Sequence, residues 1–297
     1  MKKLKLLDTF AGIGGFSYAA EKLVGGFETT QFIEINPYCQ KVLKKHWPTI
    51  PIHNDIKTFT AEPFQFDAVC GGFPCQDISV AGLQKGITKE TRSGLFYELM
   101  RVIRMVRPKF VVLENVAAIV NNGLDIVLGE LSQAGYDAEW AVISASSLGA
   151  AHRRSRWWLV AYPNSIGCGG GSSKGCSIQE RQLLQSERQE REVGSKTEGC
   201  SSKSTNSFST RTQIQYEQRR SSVWNLPSSY GEKGSTLNPN WQAYESKPCL
   251  CRGNDGLSHW THRLKALGNS VVPQVAAIPL QRVLDLESIK TKELTFF

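Results

Sequence analysis

The chain has 297 residues, a formal net charge of +8 at pH 7 and an apolar share of 40%. Such a length accommodates one large domain with a smaller companion, and the positive balance favours a polyanionic partner such as nucleic acid. No apolar run approaches the ~18 residues of a membrane helix, and the apolar stretch before Asp8 is too short for a secretory leader, so a cytoplasmic protein is expected.

The first half alternates strand-like and helix-like segments. Strands are expected at Lys5–Asp8, Thr29–Glu34, Phe66–Cys70, Phe110–Leu113, Glu139–Ser144 and Arg156–Ala161. Several are nearly continuous apolar runs, the pattern of strands buried on both faces of a parallel sheet. Helices are expected at Phe16–Val24, Tyr38–His46, Leu95–Val106 and Leu124–Ala134. The alternation implies an α/β fold with a doubly wound, mostly parallel sheet. After Pro163 the chain turns polar and aliphatic residues become few, until periodicity returns at Arg263 and a helix is expected from Pro273 to Leu286. The polar insert carries aromatic residues, Trp224, Tyr230, Trp241, Tyr244 and Trp260, which argue for packing or stacking within it. Eight cysteines in a chain without a secretory signal are expected to be reduced. None is spaced as Cys-x-x-Cys, so no structural zinc is expected.

Five stretches carry chemistry. Asp8-Thr9-Phe10-Ala11-Gly12-Ile13-Gly14-Gly15-Phe16 is a strand running into a glycine-rich turn and a helix, which lets backbone approach a ligand closely. Ser17 stands where the dinucleotide fingerprint has its third glycine, and Glu34 follows at the distance where an acid holds ribose hydroxyls. Turn plus acid implies a nucleoside-type ligand, with Asp55 as a second polar contact. Next, Gly71-Gly72-Phe73-Pro74-Cys75-Gln76 follows an apolar strand. A cysteine at the carboxyl end of a parallel strand faces the ligand crevice, and a thiolate favoured by positive surroundings is a nucleophile. Cys70, inside the same strand, reads as a small buried hydrophobe. Glu114 ends the run Phe110–Glu114 on the same sheet edge as Cys75, where an apolar rim is expected to raise its pKa and let it donate a proton. In His152-Arg153-Arg154-Ser155-Arg156, strand alternation points Arg154 and Arg156 the same way, as a pair suited to a base carbonyl or phosphates. Finally, Ala266-Leu267-Gly268-Asn269-Ser270-Val271-Val272-Pro273 reads as a turn and a helix start.

Taken in order, these stretches resemble the DNA (cytosine-5) methyltransferase family, including its phage and prophage members. The resemblance covers residues 1–162 and 262–286. It implies a fold of the S-adenosylmethionine-dependent methyltransferase type, with residues 1–162 plus 262–297 as the catalytic domain and 163–261 as an inserted target-recognition domain. It implies that Phe10, Gly12, Gly14, Gly15, Glu34, Ile35, Asp55, Ile56, Asn269 and Val272 line the S-adenosylmethionine site. Cys75 would attack C6 of a cytosine flipped from double-stranded DNA, Glu114 would contact N3 and N4, Arg154 would hold O2, and Arg156 would support the loop. Residues 79–94 would close over the site. His152 stands where the family usually has Gln. A monomer is implied, with a cognate restriction endonuclease as a possible companion. A related enzyme acting on RNA and a DNA-binding protein that has lost catalysis are the alternatives.

Overall fold

A computed structural model of the chain describes residues 2–74, 94–164 and 260–294, all within one compact unit. Cys75, the 79–93 part of the expected closing loop and the insert from 165 to 259 lie outside the described residues. The strands are β1 (Leu4–Thr9), β2 (Phe27–Ile33), β3 (Ile52–His53), β4 (Ala68–Gly72), β5 (Phe110–Val116), β6 (Tyr136–Ile143) and β7 (Arg156–Pro163). They form one seven-stranded sheet in the order β3-β2-β1-β4-β5-β7-β6. β1 pairs in parallel with β2 and β4, β2 with β3, and β4 with β5. β7 runs antiparallel to both its neighbours, β5 and β6. The expected doubly wound, mostly parallel sheet is therefore present. Its direction of winding reverses between β1 and β4, which opens a crevice at the carboxyl ends of those strands.

Alternation along the buried strands divides the core between the two faces of the sheet. Leu7, Val69, Val111, Leu113, Trp157 and Leu159 face one side. There they meet α3 (Leu95–Val106), which buries Phe96, Leu99, Met100 and Ile103, and α4 (Leu124–Gln133), which buries Val127 and Leu131. Leu6, Ala68, Cys70, Phe110, Val112, Trp158 and Val160 face the other side. The cover there comes from α1 (Gly15–Tyr18), the π-helical turn Ala19–Val24 that continues it, and α6 (Pro273–Leu294). Burial on both faces is what the unbroken apolar runs demanded. Helix α2 (Pro37–His46) packs Leu43 against Phe32 in a smaller cluster. Its N-cap Asn36 accepts from the Tyr38 N–H at 2.9 Å, with Pro37 at the first helical position.

Three details differ from expectation. The helix over 16–24 is α-helical only to Tyr18, and the wider turn after it carries Glu21. The Glu21 carboxylate accepts from the Thr29 N–H and the Trp47 indole N–H, both at 3.0 Å. The stretch expected as a turn before the last helix is instead the end of α5 (Trp260–Asn269). The break falls at 270–272, where the Ser270 N–H closes α5 onto the Ala266 carbonyl at 3.0 Å and Pro273 opens α6. Arg154 precedes β7 with φ 34°, so strand alternation does not govern its direction. Among the described residues no helix is long and apolar enough to cross a membrane.

Candidate functional site

β1 delivers the glycine turn to the crevice. Phe10, Gly12 and Gly14 all have left-handed backbone, with φ of 53°, 56° and 86°. Such values suit glycine and are uncommon in a bulky residue such as Phe10, whose neighbours in the turn must hold it there. The brace is Glu34, just past the end of β2 and only 9% exposed. One of its carboxylate oxygens accepts from the Gly12 N–H and the other from the Asn36 N–H, both at 2.7 Å. The two oxygens keep lone pairs for a further donor. Beside it Ile35 is 63% exposed, an apolar side chain left bare at the rim of the crevice. Asp55 follows β3 and caps the short 3-10 turn Ile56–Thr58 through the Lys57 N–H at 3.0 Å, while Ile56 is buried. A carboxylate with spare lone pairs, a bare aliphatic face and a left-handed turn fit the ribose and adenine of a nucleoside cofactor.

Sequence reasoning missed Asp8. It is fully buried beneath the turn, where one carboxylate oxygen accepts from the Ser17 hydroxyl at 2.7 Å and from the Ser17 N–H at 3.2 Å. Burial pushes its pKa up to about 7, against the lowering effect of the Ser17 bonds. Cys70, buried next to it, is pushed well above the ordinary thiol range, first by burial and then by the Asp8 charge. That environment makes Cys70 the inert packed cysteine that the sequence suggested.

The second half of the site lies across the switch point. Gly72 ends β4 in register with Glu114 of β5. A Cβ at Gly72 would come within 2.9 Å of the Glu114 Oε2, so the carboxyl occupies the space that a side chain would need. The Asn115 side-chain amide donates to the Phe73 carbonyl at 3.2 Å, and the Phe73 ring packs on Phe96 with centroids 5.1 Å apart. The segment leading into Cys75 is thereby anchored at both backbone and side chain. No motif argument had given Asn115 a role; its burial beside Glu114 is the signal that finds it. Burial raises the Glu114 pKa to about 7, and the nearby Arg156 and Arg154 charges oppose the rise.

The two arginines part company. Arg156 sits opposite Val116 at the start of β7 and reaches Glu114 Oε1 through Nε at 3.0 Å. Arg154 donates through Nη2 to the Gly268 carbonyl at 2.9 Å and to the Ser270 carbonyl, while its charge still acts on Glu114. With His152 and residues 270–274, Arg154 lines a cleft of about 570 Å³. The resemblance gave Arg154 the base O2 and Arg156 the loop; in the structure Arg156 contacts the acid directly and Arg154 bonds the α5–α6 junction. Asn269 and Val272, expected at the cofactor, flank that same junction.

The family model described as C-5 cytosine-specific DNA methylase matches residues 4–248. The type II methyltransferase M.CviJI of Paramecium bursaria Chlorella virus IL3A is 36% identical over 160 residues, covering 53% of this chain and 42% of the relative. The type II methyltransferase M.HhaI of Haemophilus parahaemolyticus is 31% identical over 168 residues, covering 55% of this chain and 50% of the relative. The chain thus spans about half the length of the curated relatives it matches. Among solved structures, the S. pombe Dnmt2 methyltransferase shares the fold at a TM-score of 0.52 and 17% identity, covering 96% of this chain and 99% of that one. The match to the family model runs through the glycine turn, the strand before Cys75, Glu114 and both arginines, and the chain belongs to the C-5 cytosine-specific DNA methylase family.

Proposed function

We propose that the chain transfers a methyl group from S-adenosylmethionine to carbon 5 of a cytosine in double-stranded DNA through a covalent bond between Cys75 and C6. The observation that carries the reading is the buried Glu114 carboxyl, its pKa raised to about 7, ion-paired with Arg156 and in register with Gly72, which precedes Cys75 by three residues in the sequence.

The cytosine must leave the helix stack for its C6 to be reached. The Cys75 thiolate adds to C6, and Glu114 delivers its proton to N3, so the electron pair released by addition collects at C5 as an enamine. The glycine turn, Glu34, Ile35 and Asp55 would hold S-adenosylmethionine, which would supply an electrophilic methyl group and depart as the thioether S-adenosylhomocysteine. C5 takes that methyl, the C5 proton leaves to a base, and the C6–sulfur bond breaks to restore the aromatic ring, with N3 returning its proton to Glu114. Arg156, ion-paired with Glu114 at 3.0 Å, would hold the carboxyl in place and donate to O2 of the base. This exchanges the roles that the resemblance gave the two arginines. Residues 163–261 would act as the target-recognition domain and supply the groove contacts. The protein is proposed to act as a monomer in a cell or infected host cytoplasm, with or without a cognate endonuclease.

The decisive experiment is tritiated methyl transfer to double-stranded DNA by the wild type and by a Cys75→Ser variant, with tRNA as competitor. Incorporation by the wild type alone, unaffected by tRNA, is expected. Equal incorporation by both proteins would overturn the covalent route, and suppression by tRNA would move the substrate to RNA.

A further inference from the structure

The geometry points to Arg154 as a positioning residue of the cofactor pocket, acting through the α5–α6 junction; the inference rests on the methyltransferase reading above. Arg154 adopts a left-handed backbone, φ 34°, which a non-glycine residue holds only when its surroundings fix it. The backbone before it is held by the Ala145 N–H on the Arg153 carbonyl at 2.8 Å, and its Nη2 is shared between the Gly268 and Ser270 carbonyls. Those carbonyls bracket the end of α5, where the helix has exhausted its own donors. An arginine there does what a C-terminal cap does, and its charge suits the helix end.

The junction it caps touches the glycine turn directly. Val271 follows Ser270, and its Cγ2 lies 2.6 Å from where a Cβ on Gly15 would stand. The Ser270 hydroxyl donates to the Val271 carbonyl at 3.0 Å, which stiffens the same short segment. A continuous path therefore runs from Arg154 through Ser270 and Val271 to Gly15. The ion-pair contact of Glu114 is with Arg156, and Arg154 acts on Glu114 through its charge. Removing the guanidinium frees the α5 end, lets Val271 withdraw from Gly15, and loosens the turn that receives the cofactor.

The test is calorimetric binding of S-adenosylhomocysteine, without DNA, to the wild type, Arg154→Ala, Arg154→Lys and Val271→Ala, alongside steady-state methylation. Arg154→Ala is expected to raise the Kd by about tenfold, roughly the loss of one charge-assisted hydrogen bond. Arg154→Lys, whose ammonium can still reach carbonyls, should recover part of it. The steady-state loss should fall on the KM for the methyl donor more than on kcat. Val271→Ala should weaken binding as well, and the double variant should lose less than the sum, because both act on one segment. An unchanged Kd in Arg154→Ala with a collapsed kcat would assign Arg154 to the base and overturn the inference. An unchanged Kd with only a lower melting temperature would overturn it as well, leaving a structural role. Failure of the wild type itself to bind S-adenosylhomocysteine would instead strike at the proposed function.

Discussion

Glu34 and Glu114 are alike in position and unlike in surroundings. Glu34 follows β2 and Glu114 lies near the carboxyl end of β5, and each is 9% exposed. Glu34 receives one backbone N–H on each oxygen and is committed to accepting bonds. Glu114 receives only the Arg156 guanidinium among the described residues, and burial raises its pKa to about 7. Equal burial thus yields an acceptor on the cofactor side and a proton donor on the base side. Burial raises the Glu114 pKa, whereas at Glu34 the backbone supplies one donor to each carboxylate oxygen.

The sharpest way to break the comparison is Glu114→Gln. Methyl transfer should fall by roughly 10² to 10⁴, the usual worth of a positioned proton donor, while S-adenosylhomocysteine binds as before. In the wild type the protonated acid is lost as pH rises through about 7, so the rate should decline above that pH. That declining limb should be missing from the residual activity of the variant, as a pH–rate profile would read. A limb that persists would place the titrating group elsewhere.

Gly72→Ala should come next. Its methyl group would stand 2.9 Å from the Glu114 carboxyl and push it aside, and a misplacement of about 1 Å costs about 10²-fold in rate. Single-turnover methylation at saturating cofactor would measure it. On the cofactor side, Glu34→Gln keeps the shape but replaces one acceptor oxygen with a donor facing an N–H. The Kd for S-adenosylhomocysteine should rise about tenfold or more, as expected for a charge-assisted bond lost, with a smaller effect on the DNA KM.

The smallest expected effect is on stability. The Asp8 pKa is raised from 3.8 to about 7, so the fold favours its neutral form. The stability this provides is complete below pH ~4 and is lost as pH rises through about 7. Asp8→Asn removes the titration and can still accept from Ser17. Its melting temperature relative to the wild type should therefore improve between pH 5 and pH 8, by on the order of 5 °C. A constant difference across that range would show that Asp8 does not titrate there.

Much of the scaffold was readable in the amino-acid order because it rests on local signals. The helix over Leu95–Val106 has the expected bounds, and its apolar spacing alone specifies the buried face. The unbroken run Phe110–Leu113 announced a strand covered on both sides. The glycine turn and Glu34 were legible because each sits at a strand-to-turn transition, and Glu114 because it is the acid that interrupts an apolar run, although β5 continues past it to Val116. What stayed hidden depends on pairing across long separations. Nothing local says that β7 inserts antiparallel between β5 and β6, yet this insertion brings its first residue, Arg156, to the edge where the parallel strands end. The separate errands of Arg154 and Arg156 follow from one left-handed residue, which no spacing rule foresees. Asp8 and Asn115 were invisible for a related reason: their partners, Ser17 and the Phe73 carbonyl, are fixed by how the turn folds back on the sheet.

The two tryptophans that follow Arg156 in β7 give this strand a further meaning. Trp157 is embedded in the core beneath α3 and α4, and Trp158 in the opposite core beneath α6. Both are essentially unexposed. One strand therefore serves as the common wall of two oily compartments and carries the charged partner of Glu114 at its tip. Neither compartment can melt without pulling on that tip. Heat should consequently extinguish enzymatic turnover and both indole signals in one step, and a chain half-unfolded on either side would already be inactive.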